Sequence, residues 1–183
     1  MRCTARGAPA ETGHTGCMLT DPALVDALEA CQDRRSAGRT PAEAGFDALL
    51  DRWPDHPTAS EAVGEAYDEA GDLERAVACY RSALTGLEGT ALRRCYLKLG
   101  DALRRLGRLD DSVDVLRAGL DEFPGSRSLR TFLALAMHEQ GRADAALGVV
   151  LEVLVDPMPS PDLELYRAAV RQRAQQLVAR DRG

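Results

Sequence analysis

A small residue returns at nearly equal spacing along this chain, at Ala42, Ala76, Ser112 and Ala146, with intervals of 34, 36 and 34 residues. The stretch from Ser60 to Leu84 shows what surrounds it. Val63, Ala66, Tyr67 and Ala70 form one apolar series of helical period, and Leu73, Ala76, Val77, Tyr80, Ala83 and Leu84 form a second, with Gly71-Asp72 between them. Two helices joined by a tight turn are expected there. Because one such pair cannot bury its apolar face alone, a recurrence in register implies pairs stacked on pairs.

The spacing has a steric logic. Two helices approach closely only where side chains are small, and Gly64, Ala66, Ala76 and Ala83 supply those positions while Tyr67 and Tyr80 fill the space beside the crossing. Gly71 is suited to the left-handed residue that ends the first helix, and Asp72 to the N-cap of the second. Only 4% of residues are aromatic although 45% are hydrophobic, so the core must be built from Ala, Leu and Val, and runs of β-branched residues of strand type are missing.

The pattern resembles the tetratricopeptide repeat, a unit of about 34 residues with Leu-Gly and Tyr on its first helix, Ala, an aromatic residue and Ala on its second, and a closing Pro. Val63-Gly64, Tyr67, Gly71, Ala76, Tyr80 and Ala83 carry the match in one unit. Tyr96, Leu99-Gly100, Leu103, Gly107, Ser112, Leu116, Gly119 and Pro124 carry it in the next, and Leu133-Ala134, Met137, Gly141, Ala146, Val150 and Val153 in a third. An earlier unit keeps Ala42, Phe46, Leu49 and Pro54. The resemblance covers roughly Asp21 to Pro157 and is to short bacterial members of the family. It implies an all-α fold, a right-handed superhelical stack of repeats over residues 20–159 (units 20–56, 57–89, 90–125 and 126–159), closed by a C-terminal capping helix in 160–183.

Residues 1–19, rich in Gly, Ala, Thr and Pro, are expected to form a disordered tail, with Met18 as a second candidate initiator. Thr20 or Asp21 followed by Pro22 reads as a cap and helix start, Thr40-Pro41-Ala42-Glu43 and Thr58-Ala59-Ser60-Glu61 as capping boxes, and Trp53-Pro54-Asp55-His56-Pro57 and Phe123-Pro124-Gly125-Ser126 as breaks. Asp156-Pro157-Met158-Pro159 stops the last unit before LELYRAAVRQRAQQLVA restarts as a helix.

A net charge of −6 gives no general attraction to nucleic acid or to an anionic membrane. The opening residues lack the apolar core of a secretory signal, and no 18 apolar residues run together, so a cytoplasmic protein with reduced thiols is expected. Cys3, His14 and Cys17 lack metal-ligand spacing, His14, His56 and His138 are scattered, and no glycine-rich phosphate loop is present. Neither catalysis, metal nor cofactor is expected.

In such a stack the first helices line the inner, concave side. By the resemblance that face holds Glu61, Glu65 and Asp68, then Arg94, Lys98, Asp101 and Arg105, then Thr131, Leu135 and His138. An acidic step beside a basic one suits a protein or peptide partner bearing both signs of charge, with Arg94 and Lys98 taking an acidic segment; the alternative for these charges is a set of ion pairs between repeats. A carboxylate clamp of the family's type is incomplete, since Ala27, Cys31 and Ala62 stand at its other places. The basic cluster Arg93, Arg94, Lys98, Arg104, Arg105 and Arg108 lacks stacking aromatics and is followed by Asp110, Asp111 and Asp114, so nucleic acid is not expected. Two other readings stay open: a module that pairs with itself to form a homodimer, through Phe132, Leu133, Leu135, Val149, Val150 and Val153 or the last helix, and an accessory protein with a small-molecule pocket.

Overall fold

The computed structural model describes residues 21–36, 42–155 and 166–180. Among the described residues there are nine α-helices: α1 Pro22–Ser36, α2 Ala42–Arg52, α3 Pro57–Ala70, α4 Leu73–Ala83, α5 Gly89–Arg105, α6 Leu109–Glu122, α7 Arg127–Glu139, α8 Ala143–Val155 and α9 Arg167–Arg180. Each packs chiefly on its neighbour in sequence, and α5 also meets α7, which gives an all-α stack of hairpins. The expected tail, Thr40-Pro41 and the break after Val155 lie outside the described residues.

The three inner hairpins turn alike. Gly71, Gly107 and Gly141 have φ of 83°, 74° and 83°, in the left-handed region where a side chain is strained. The Asp72 carboxylate accepts from the Arg75 amide at 3.2 Å and caps α4, and Ser126 caps α7 in the same way, accepting from Leu129 at 3.4 Å. Asp21 does the same for α1, accepting from the Ala23 amide at 2.9 Å. The start of α3 differs from expectation. His56 is its N-cap and Pro57 its first residue, so Thr58 cannot cap it, and Ser60 and Glu61 are buried.

Ala76, Ala83, Val63 and Ala66 are wholly buried, with Tyr80 inside and Tyr67 nearly so. A Cβ at Gly64 would lie 2.8 Å from the Tyr80 ring, and one at Gly100 only 2.5 Å from Leu116 Cγ, so each glycine lets the helices of its hairpin meet. Ser112 uses its place at the second crossing for a bond, donating its hydroxyl to the Gly100 carbonyl at 2.7 Å. One apolar cluster runs from Leu24 to Leu103 and a second from Val113 to Val149.

Candidate functional site

The acidic first helix α3 and the basic first helix α5 stand one repeat apart, and their charges meet. Arg94 Nε donates to Glu61 Oε1 at 2.8 Å and lies 3.8 Å from Glu65. Lys98 donates to Glu65, and Arg105 to Asp68. The series continues between α5 and α7, where Arg104 bonds Asp101 on its own helix, 2.7 Å from Oδ1, and reaches Glu139. Each inter-helix rung joins residues 33 to 37 positions apart, one repeat.

The rungs are not equivalent. The Glu61 side chain is 4% exposed, so its charge has exchanged water for the Arg94 guanidinium. The bond to Glu61, more than any other influence, holds the Arg94 guanidinium above its ordinary value. Glu65, Lys98, Asp68 and Arg105 keep one fifth to two fifths of their surface in water, where an ion pair contributes about 0–1 kcal/mol. These pairs leave the face close to neutral.

Of the ten residues expected on this face, Glu61, Glu65, Asp68, Arg94, Lys98, Asp101 and Arg105 are brought together as this ladder. Glu61 is the exception to an open face, because the Arg94 side chain lies against it. Thr131, Leu135 and His138 follow on α7 and are exposed, Thr131 bonding its own helix at the Arg127 carbonyl. Arg104 and Glu139 were not expected as ladder members. Their signal was available: opposite charges separated by 35 residues, the spacing of the other rungs.

Behind the ladder, the Tyr80 hydroxyl reaches Asp68 at 3.4 Å and the Tyr67 hydroxyl bonds Asp47 on α2. Burial raises the Tyr80 phenol and pushes the Cys95 thiol up to about 12, and Cys95 bonds the Tyr80 carbonyl at 3.3 Å. Such a thiol stays protonated and packs. Two open depressions, of about 420 and 340 Å³, lie beside the hairpin turns, lined by Gly107, Leu109, Asp110, Gln140 and Arg142 and by Gly141 to Asp144 with Arg180. Among the described residues no three metal-ligating side chains converge, and no helix is long and apolar enough to cross a membrane.

The family model described as the tetratrico peptide repeat matches residues 57–177, from the start of α3 into α9. No curated protein matches the chain.

Proposed function

The chain belongs to the tetratricopeptide repeat family, whose repeats generally mediate protein–protein interaction, and from that premise we propose that it is a cytoplasmic adaptor that binds a protein or peptide along the face of α3, α5 and α7, without chemistry of its own. One observation carries the reading. The charges of successive first helices line up on one face and are paired mainly with one another, in rungs weak enough to exchange. A partner carboxylate can replace Glu65 at Lys98 or Asp68 at Arg105 with little net loss, whereas the buried Glu61 stays with Arg94. The exposed Leu135, 43% accessible, offers an apolar contact beyond the charged rungs. The segment that fits is therefore acidic, followed by an apolar side chain.

The test is a charge exchange. Glu65→Lys with Lys98→Glu keeps a pair within the protein but reverses its direction across the face. Wild type and variant, matched by circular dichroism, are used as baits in native lysate and read by mass spectrometry. The expected result is a partner held by the wild type, released by salt, and lost from the variant. The same proteins on both baits would refute the groove.

A further inference from the structure

The turn glycines put α4, α6 and α8 in common register, and in that register α8 departs from the other two. Val77 and Val113, 3% and 2% exposed, correspond to Leu147, which is 51% exposed. Tyr80 and Leu116, both fully buried, correspond to Val150 at 39%. The half-buried Leu84 and Leu120 correspond to Leu154 at 50%. At the inner junctions this face receives the first helix of the following repeat: Cys95 bonds the Tyr80 carbonyl, and Leu129 lies against Gly119 and shares one buried cluster with Val113 and Leu116.

Helix α9 does not take that seat. A Cβ at Gly148 would meet the Ala174 carbonyl at 2.7 Å and Val178 Cγ2 at 2.7 Å, so α9 lies across Gly148. The corresponding positions in α4 and α6 are Ala78 and Asp114, which face water. Among the described residues, α9 thus covers the outward side of α8 and not the side that would seat another repeat. Three of the six large exposed apolar side chains among the described residues, Leu147, Val150 and Leu154, are gathered there.

We propose that this end is the interface between two copies of the chain, stripe against stripe across a two-fold axis. The face is continuous with the repeat-to-repeat interface already formed twice within the molecule, so its natural occupant is a helix with apolar residues three and four apart. The chain presents one itself: Leu147, Val150 and Leu154 form the exposed apolar stripe, whereas Val25 and Tyr166 stand singly. Seat and occupant are then the same surface, as a two-fold interface requires. Leu147, Val150 and Leu154 are uncharged themselves, and the exposed Asp144, three residues before Leu147, flanks the stripe at one end. Leu133 and Val149, expected to contribute to a self-associating patch, are instead buried in the core, while Leu147 and Leu154 take their place.

The full chain is measured by sedimentation and light scattering from about 1 to about 200 µM. The expected mass rises from 19.7 kDa towards twice that value. Val150→Glu with Leu154→Glu, substitutions at exposed positions, should weaken the dimer by about 100-fold at unchanged helicity. Val150→Lys with Leu154→Lys should do the same, and an equimolar mixture of the two variants should restore the dimer. A wild type that stays monomeric throughout overturns the proposal, as does a dimer that survives the Glu pair or a mixture that fails to associate.

Discussion

Gly100→Ala is the sharpest probe of the hairpin crossing. In a helix this change ordinarily stabilises by about 0.5–1 kcal/mol, because glycine loses more backbone freedom on folding. Here the new methyl would lie 2.5 Å from Leu116 Cγ, 2.6 Å from its Cδ2 and 3.1 Å from its Cδ1, against a side chain that is wholly buried. Forcing one carbon into such a site costs about 1–3 kcal/mol, so a net loss of about 1 kcal/mol is expected. In a chain of this size that lowers the melting temperature by about 2–4 °C. Leu116→Ala alone opens a cavity and costs about 2–5 kcal/mol. In the double variant the methyl enters the vacated space, so the combined loss should fall short of the sum by about 1 kcal/mol or more. Urea denaturation followed by circular dichroism measures all four proteins. A Gly100→Ala protein as stable as the wild type, or strictly additive losses, would refute the crossing. The third unit is an internal comparison: it carries Ala134 at the place of Gly100, and the residue corresponding to Leu116 there is Val150, 39% exposed.

Arg94→Ala should destabilise by about 1–2 kcal/mol, because it leaves the buried Glu61 carboxylate without its principal partner, and Arg105→Ala by less than about 1 kcal/mol; denaturant melts that rank the two in reverse would contradict the ladder's gradation. Trp53, the single tryptophan, donates its indole N–H to Asp21 at 2.8 Å, which more than any other contact depresses the Asp21 carboxyl below its ordinary 3.8. A depressed carboxyl contributes its stability fully above its ordinary pKa and loses it as pH falls through the folded value. Trp53 fluorescence should therefore step at a pH below 3.8, and Asp21→Asn should remove the step; a midpoint above that value would count against the bond. The Cys95 thiol, buried and raised to about 12, should be alkylated only as the protein unfolds, with peptide mapping as the readout and rapid labelling of the native protein as the contrary result.

The hairpins were legible because their determinants are local. Gly71, Gly107 and Gly141 announce turns through a backbone conformation that few residues adopt, and Ala76 and Ala83 announce a close crossing through size alone. The start of α3 was misread since Thr58 and Glu61 satisfy a capping pattern, yet Pro57 suits the first helical turn and draws the helix back to it. The charges on the first helices could be assigned to a face by periodicity, but not to their partners. Pairing depends on how two helices a repeat apart are offset, and that offset is set by the packing of residues such as Cys95 on Tyr80 rather than by the charges. The exposed stripe on α8 was the least legible feature. Val150 has the identity of a core residue, and only the seat chosen by α9, across Gly148, leaves it in water.

The constant reach of the ladder bears on how the chain finds its structure. Every inter-helix rung closes a loop of 33 to 37 residues, wherever along the chain it stands. Loop-closure entropy rises with length, so no rung requires a more improbable encounter than its neighbour, and adding a unit would leave the mean sequence separation of contacts almost unchanged. Assembly can then begin at any junction and spread in both directions as the next hairpin docks. The half-exposed pairs of the ladder form once that docking has set the offset of successive first helices, and each adds only about 0–1 kcal/mol to it.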